Sequence, residues 1–202
     1  RNVGEITVDE LTNLSFRGAE VVAPSALAYK TDDLDIRVIH YQHGDLLSGG
    51  TDIVGEFENL IVMRERPLAC ITVAGRAVRN QPGILAALTS KLAEKDINID
   101  AASSGLDSIT IYVDEEDAGE AESALHDIVV ESPVLSSFTV EENVAAIRIT
   151  SGDFPTQVSE FLNVIEPLAD AHVDLYDLIT SATAVAVFVD WEDGEQALEL
   201  IQ

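Results

Sequence analysis

A junction between a polar loop and a predicted helix is the part of this sequence best suited to binding a small ligand. It reads Arg79-Asn80-Gln81-Pro82-Gly83-Ile84-Leu85, and proline favours the first turn of a helix. Free N–H groups at a helix start attract a carboxylate, and Gly83 allows close approach to the backbone. We expect Asp100 to face this junction across a sheet and to bind an ammonium group. The pair suits a zwitterionic amino acid, unless Gly83 only makes a turn and Asp100 only caps a strand.

Motifs for catalysis or metal binding are absent from the sequence. It has no phosphate-binding loop with its lysine, no Gly-x-Ser-x-Gly elbow and no His-Glu-x-x-His helix. The glycine-rich stretch 44–50 also lacks a lysine, so we interpret it as a plain turn. His40 and His43 lie close together but without the cysteines or acids of a zinc site. We therefore predict no catalytic residue and no metal site in this chain.

The charge of the chain excludes one class of partner and indicates an unusual environment. Thirty-seven acidic residues against eleven basic ones leave a formal net charge of −26 over 202 residues. Nucleic acid is excluded because phosphate binding needs a basic patch. The acids are spread along the whole length and lysine is scarce. This pattern predicts a very salty cytoplasm, as in halophilic archaea, where salt screens the self-repulsion; the alternative is an ordinary acidic protein.

Hydrophobicity and targeting signals favour a folded cytoplasmic protein. Apolar residues make up 47% of the chain, and no apolar run approaches the roughly 18 residues of a membrane span. No secretion signal is visible at the start, so we expect no membrane partner. Cys70 is the only cysteine and favours a reducing compartment. Because the first residue is Arg1 and not Met, we expect a fragment or a processed product.

The chain nearly repeats itself at a constant offset of 76 residues. Three dipeptides recur at this distance: Leu92-Ala93 as Leu168-Ala169, Val113-Asp114 as Val189-Asp190, and Glu116-Asp117 as Glu192-Asp193. No insertion separates the copies internally, so we predict one small domain used twice.

Periodicity predicts the same elements in both copies. In the first, apolar residues recur at helical spacing from Ile84 to Leu92, and short β-prone runs surround them. The predicted elements are a strand at 68–73, this helix, strands at 97–100 and 109–113, a helix at 117–128 and a strand at 138–140. The second copy has strands at 145–149, 173–179 and 184–189, with helices at 156–170 and from 194. This βαββαβ order is the ferredoxin-like unit of an α+β fold.

The predicted sheets leave surfaces that need a partner. Helices cover only one face of such a sheet, and the bare face and edge strands favour pairing with another copy. We therefore expect side-by-side sheets and a homodimer or a higher assembly. The second junction, Ser151–Thr156, carries Asp153, which would repel a carboxylate. For the second copy we predict a structural or dimerising role.

The repeat resembles the ACT domain, a small βαββαβ module that binds amino acids and regulates metabolic enzymes. The resemblance rests on the motif Gln81–Leu85 and on the run Leu92-Ala93-Glu94-Lys95-Asp96-Ile97-Asn98-Ile99-Asp100. In the second copy, Val164-Ile165-Glu166-Pro167-Leu168 is similar to the last ACT domain of aspartate kinases.

The opening segment resembles the end of the catalytic domain of aspartate kinases, an α/β amino-acid kinase domain. The matching residues are Gly4–Glu10, Gly18–Val21, Pro24, Ile36–Val38 and Gly50-Thr51. The resemblance implies a kinase remnant over 1–55, a linker or strand over 56–67, and ACT domains over 68–140 and 141–202.

The resemblance implies a parent enzyme that phosphorylates the side-chain carboxylate of aspartate with ATP and Mg²⁺. This is the first step toward lysine, threonine and methionine, and end products inhibit it through the ACT pair. The family's catalytic motifs are absent from this sequence, so we expect this fragment to be catalytically silent and to hold no cofactor. The alternatives are a free-standing tandem-ACT sensor and a dimerisation module without catalysis.

The resemblance also implies a set of effector-binding residues: Val78, Gln81, Gly83, Ile84, Leu85, Ile99, Asp100 and Ser104. Relatives inhibited by lysine carry a glutamate after a Thr-Ser stretch, whereas this chain has Ser104-Gly105-Leu106 followed by Asp107. Threonine is therefore at least as plausible an effector as lysine. In the opening segment, Ala23-Pro24-Ser25 stands where the family has His-Pro-Arg, a departure that bears on the parent's catalysis.

Overall fold

The structure is a computed structural model that describes residues 3–16, 21–27, 29–40, 49–56, 60–76, 78, 81–150, 158–181 and 183–202. The strands are β1 Glu5–Thr7, β2 Ile36–Val38, β3 Thr51–Val54, β4 Leu60–Met63, β5 Leu68–Ala74, β6 Ala101–Ser104, β7 Ser108–Asp114, β8 Ser137–Thr150, β9 Leu175–Thr180 and β10 Ala184–Asp190. The helices are α1 Val8–Phe16, α2 Pro24–Leu27, α3 Ile84–Ala93, α4 Ala118–Glu131, α5 Val158–Asp170 and α6 Gly194–Ile201.

The first repeat is a complete βαββαβ unit in the order β5, α3, β6, β7, α4, β8. Its sheet has the strand order β6-β7-β5-β8, with every neighbouring pair antiparallel. Ile84, Leu88 and Leu92 form the buried stripe of α3, as their helical spacing predicts. They pack with apolar residues of β5 and β7 into one core. The predicted α+β, ferredoxin-like fold is confirmed.

The second repeat takes its last strand from upstream of the first repeat. β8, α5, β9, β10 and α6 supply five of the six elements. β4 pairs antiparallel with the end of β8, from Leu60 opposite Thr150 to Met63 opposite Ile147. Ile61 and Met63 pack on the core of the second repeat. The short run before the first repeat is therefore the closing strand of the second one.

One long strand joins the repeats where the sequence predicts two short ones. β8 runs without a break from Ser137 to Thr150 and pairs first with β5 and then with β10. The expected gap around Glu141–Asn143 is a bulge: Asn143 has φ of 59°, and the register with β5 shifts there. A bulge adds one residue to a strand without ending its pairing. Because the residues at this bulge are polar and exposed, the sequence pattern predicts a break between two strands here. The predicted domain boundary between residues 140 and 141 falls inside this strand.

Two other strands begin later than their apolar pattern predicts. The alternation over Ile97–Asp100 belongs to a connection that follows α3, because β6 begins only at Ala101. Asp96 has φ of 59°, and Ile97 N–H donates to Leu92 O at 3.0 Å. This closes the helix in the usual left-handed manner. His172, at the equivalent place before β9, has the same φ.

The bare faces of the two repeats contact each other. Tyr112 stacks on Phe188 with ring centroids 3.9 Å apart and an interplanar angle of 17°. These residues are 76 positions apart and are therefore equivalents in the two copies. Leu68, Cys70 and Val144 are buried beside them, and burial raises the pKa of the Cys70 thiol. One seven-stranded sheet carries both repeats, which are thus side by side and also in contact through their helix-free faces.

The N-terminal segment forms a small separate unit that contacts the second repeat. β1 pairs parallel with β3 and β2 pairs antiparallel with it, above a core that includes Leu11 and Ile53. Glu10 accepts from Thr7 N at 2.9 Å, and Glu10 N donates to Thr7 Oγ1 at 3.2 Å. This capping box fixes the start of α1. In the described part of the chain, no helix has the length and apolarity needed to cross a bilayer.

Candidate functional site

The loop-to-helix junction has the backbone that the sequence predicts. Gly83 occupies the N-cap of α3 with φ of 94°, and no side chain caps the helix there. A Cβ on Gly83 would meet no atom within 4 Å, so the left-handed φ and not crowding explains the glycine. The first N–H groups of α3 lack helical partners and lie beside the exposed Gln81 and the 44% exposed Leu85. Arg79 and Asn80 lie outside the described residues.

Three of the predicted effector-binding residues serve the core. Val78 is 5% exposed and Ile84 is 9% exposed, and both belong to the core of the first repeat. Ile99 is partly buried against the same core. Their side chains hold the loop and the approach to β6 in place and offer no polar group to a ligand.

Asp100 lies at the far end of the sheet from Gly83. Its N–H donates to Tyr112 O at 2.9 Å, and Tyr112 pairs with Cys70 of β5. The loop that leads to Gly83 leaves β5 at Gly75, five positions further on. At 3.3–3.4 Å per residue this separation is about 17 Å. The expectation that Asp100 faces Gly83 is therefore not met within one chain.

A cation of the same chain already faces Asp100. Arg64 Nε lies 3.4 Å from Asp100 Oδ1, and Arg64 Nη2 lies 3.0 Å from Asp114 Oδ2. The hydrogen bond from Arg64 lowers the pKa of Asp114. From the sequence, Arg64 falls in the predicted linker or strand over 56–67 and has no predicted role. Its partners Asp100 and Asp114 lie 36 and 50 residues away in the sequence, so no local pattern predicts these ion pairs.

Ser104 is the predicted residue on β6 that shares an end of the sheet with the loop. It pairs with Ile109 of β7, close to the turn Gly105–Ser108. Its neighbour Ser103 donates to Asp177 Oδ2 at 2.8 Å, on the opposite sheet face because side chains alternate along a strand. Ser104, Gln81, Gly83 and Leu85 thus gather at one end of the first repeat.

A cleft of about 320 Å³ opens at this same end, lined by Ala74, Gly75, Arg76, Asp107 and Ser136. Gly75 N–H donates to Asp107 O at 2.8 Å, and Ser136 N–H donates to Ala74 O at 2.9 Å. A Cβ on Gly75 would lie 2.2 Å from Val134 O, so only glycine allows this close packing. Arg76 is not among the site residues predicted from the sequence, and the glycine directly after a buried strand is the signal that could have indicated it.

The second repeat does not reproduce these groups. Tyr176 stands in the place of Asp100, and its hydroxyl donates to Asp190 Oδ2 at 3.5 Å. The second junction, with Asp153, lies outside the described residues, as does His43. Among the described residues, no group of three or more His, Cys, Asp and Glu side chains is arranged to hold a metal ion.

A model of the ACT domain family matches residues 71–128, from β5 into α4 of the first repeat. No curated protein matches the chain. Solved structures do. The ligand-free regulatory subunit of aspartate kinase from Thermus thermophilus is 23% identical, with 70% of this chain and 92% of that chain covered and a TM-score of 0.61.

Two longer enzymes match over the whole length of this chain. Aspartate kinase from Synechocystis is 20% identical with a TM-score of 0.77, and the match covers 38% of that chain. E. coli aspartokinase III, in complex with lysine and aspartate, is 22% identical with a TM-score of 0.61, and the match covers 46% of it. The first repeat therefore matches the ACT domain, 70% of the chain has the fold of an aspartate kinase regulatory subunit, and the whole chain has a fold contained in longer aspartate kinases.

Proposed function

We propose that this chain is the allosteric, amino-acid-binding regulatory region of an aspartate kinase and mediates feedback control and dimerisation. The observation that carries the proposal is the joined architecture. Two ferredoxin-like units share β8, and β4 closes the second unit from upstream of the first. The match to the Synechocystis kinase covers the whole of this chain, with a TM-score of 0.77. Two independent sensor domains in a row would not need a shared strand.

The effector in this proposal is threonine or lysine. The binding residues remain Val78, Gln81, Gly83, Ile84, Leu85, Ile99, Asp100 and Ser104. The exposed N-terminus of α3 supports a carboxylate site, and the core residues among the eight support its shape. Lysine is the ligand in the E. coli structure, whereas Ser104-Gly105-Leu106 in this chain favours a smaller side chain.

A homodimer is the assembly that best serves this site. Asp100 and Gly83 lie at opposite ends of one sheet. A pocket lined by both residues therefore needs Gly83 from one copy and Asp100 from a second copy. β6 is an edge strand that pairs only with β7 among the described residues. Its free edge supports pairing between copies.

The parent protein in this proposal is a cytoplasmic kinase from a halophilic organism. The N-terminal unit of β1–β3, α1 and α2 is its kinase remnant, and ATP and Mg²⁺ act in the catalytic part. No step of phosphoryl transfer is assigned to the residues described here. A net charge of −26 supports the salt adaptation, since molar salt screens repulsion beyond about 3 Å.

Calorimetric titration with L-lysine, L-threonine and L-methionine in molar salt tests the proposal. We expect one of the first two to bind with measurable heat and to raise the melting temperature, because a ligand of the folded state stabilises it. The D-enantiomer is the matched control. Absence of heat and of stabilisation with all three amino acids would leave a dimerisation module without a sensor role.

A further inference from the structure

Arg64 contacts one repeat through its backbone and the other through its side chain. It follows β4 directly, and its N–H donates to Ala146 O of β8 at 2.9 Å. Its guanidinium lies among carboxylates of the first repeat, with Nε 3.4 Å from Asp100 Oδ1 and Nη2 3.0 Å from Asp114 Oδ2. Arg64 thus connects the closing strand of the second repeat to the residue before β6 and to the end of β7.

The two carboxylates hold the guanidinium unequally. Arg64 Nη2 donates to Asp114 Oδ2 at 3.0 Å and to Asp100 Oδ2 at 3.4 Å. Hydrogen bonds between charged groups of this type are usually about 2.7–2.9 Å long, so the contacts with Asp100 are the loose ones. In the described part of the chain, the Asp100 carboxylate has no other ion-pair partner. A competing cation would therefore replace Arg64 at Asp100 more easily than at Asp114.

The charge of this cluster favours one additional cation. A single guanidinium compensates only one of the two carboxylates. The nearby Arg66 pairs with Glu116 at 3.4 Å and so does not complete the balance. The side chains of Arg64 and Asp100 are each 29% exposed, which leaves their contact open to a ligand. The ammonium group of a bound zwitterion can supply the missing positive charge.

In the described part of the second repeat, the matching contact contains no cation. Tyr176 and Asp190 stand 76 residues after Asp100 and Asp114, and the Tyr176 hydroxyl donates to Asp190 Oδ2 at 3.5 Å. On the closing strand of the first repeat, Glu141 stands in the place of the arginine. A ferredoxin-like unit therefore folds without this ion pair, which supports a specific role for it in the first repeat.

We infer that Arg64 couples effector binding on the first repeat to the packing of the second. The inference rests on the proposed function, in which Asp100 of one copy and Gly83 of another line the pocket. In the free chain, Arg64 bridges Asp100 and Asp114. The α-ammonium group of the effector replaces Arg64 at Asp100, and Arg64 then keeps Asp114 as its only carboxylate.

Displacement of the guanidinium acts directly on β4. The bond from Arg64 N–H to Ala146 O continues the pairing of β4 with β8, so a shift of Arg64 loosens the end of this ladder. Met63, the preceding residue, contacts the start of α6, since a Cβ on Gly194 would lie 3.0 Å from Met63 Cε. The effector shifts the second repeat in this way because it binds one arrangement of Arg64 better than the other.

Calorimetric titration of the 202-residue chain in molar KCl tests the competition at Asp100. Whichever of L-threonine and L-lysine binds the wild type should bind Arg64→Gln about threefold more tightly or better, because no internal cation has to be displaced. Arg66→Gln is the matched control, since it removes an exposed arginine of the same segment that pairs with Glu116. Its affinity should differ from that of the wild type by less than this factor.

Hydrogen–deuterium exchange in the peptide covering 60–66 gives a readout that a purely structural ion pair would not give. In the wild type, the bound amino acid should speed this exchange, because local opening becomes easier when Arg64 loses a partner. Asp100→Asn should show the same fast exchange without ligand, since Arg64 has lost the same partner. In Arg64→Gln, the ligand should bind and leave the exchange of this peptide unchanged.

Three results would overturn the inference and leave the proposed function standing. They are a gain of less than about threefold in the affinity of Arg64→Gln, unchanged exchange over 60–66 when the wild type binds its ligand, and equal acceleration by the ligand in Arg64→Gln and the wild type. If the wild type binds neither amino acid, the proposed function itself fails.

Discussion

The two repeats carry the same elements 76 residues apart, yet their equivalent turns meet different surroundings. In the first repeat, the turn between β6 and β7 is exposed and places Asp107 beside Arg76. In the second, the turn between β9 and β10 places Thr183 against α1, where the hydroxyl bonds to Asp9 and Asn13. The equivalent turn thus leaves its polar side chain exposed in the first repeat, whereas in the second repeat the side chain hydrogen-bonds to α1.

The closing strands differ in the same way. β8 closes the first repeat and β4 closes the second, so Met63 in the second corresponds to Val140 in the first. A Cβ on Gly194 would lie 3.0 Å from Met63 Cε and from Ala145 Cβ. The equivalent residue in the first repeat is Ala118, which is buried. The lack of a side chain at Gly194, at the start of α6, therefore leaves room for Met63 of β4, which is larger than the equivalent Val140.

The contact between the bare faces should give the largest effect on stability. Phe188→Ala removes one ring of the stacked pair in a fully packed cluster. We expect a loss of about 3–5 kcal/mol in the free energy of unfolding, measured by denaturant titration at constant high salt.

Tyr112→Phe is the matched conservative change. The buried Tyr112 hydroxyl lies near Cys70 and Asp177 but makes no well-formed hydrogen bond with a described residue, and an unsatisfied buried hydroxyl costs about 1–3 kcal/mol. The variant should therefore be as stable as the wild type or more stable. A large loss in Tyr112→Phe would show that the hydroxyl is bonded and that the stacked interface is described incorrectly.

Gly194→Ala should have the next largest effect. Overpacking costs about 1–3 kcal/mol, and the gain from replacing glycine offsets up to about 1 kcal/mol. We expect a net loss of about 1 kcal/mol in the free energy of unfolding. Met63→Val, which copies the first repeat, should make the alanine tolerable in the double variant. Additive losses in the double-mutant cycle would contradict the contact between β4 and α6.

The attachment of α1 to the second repeat should contribute about 1–2 kcal/mol. Thr183→Val keeps the shape of the side chain and removes the hydroxyl that bridges Asp9 and Asn13. Amides of α1 should then exchange faster with deuterium, while those of α3 should not change. Thr180→Val, at an exposed position of β9, is the control. Unchanged exchange in α1 would mean that its own core, and not this bridge, holds the helix.

The smallest effect should come from Arg64→Gln, because its ion pairs are partly exposed and such pairs contribute at most about 1 kcal/mol. Arg64 lowers the pKa of Asp114 in the folded state. The resulting stabilisation is therefore present above the unfolded-state pKa near 3.9 and is lost as the pH falls through the lower folded value. The melting temperatures of variant and wild type should differ at pH 7 and converge below about pH 3. A constant difference across this range would contradict the ion pair.

Sequence periodicity predicts the parts of the fold that depend on neighbours in the chain. The βαββαβ order and the buried stripe of α3 follow from spacing alone, whereas the left-handed φ of Gly83 is known only from the structure. Features that depend on distant partners are not predictable in this way. The role of β4, the continuity of β8 through Asn143 and the ion pairs of Arg64 all arise from pairing across many residues. The eight predicted effector residues remain a prediction.

Hydrogen–deuterium exchange of the wild-type chain, with and without saturating L-threonine or L-lysine in molar KCl, tests the central claim most directly. The account predicts that one of these amino acids slows exchange in peptides covering 81–88 and 103–108, at one end of the first repeat. Peptides covering 176–190 of the second repeat should not change. Protection confined to the second repeat, or no protection with either amino acid, would contradict it.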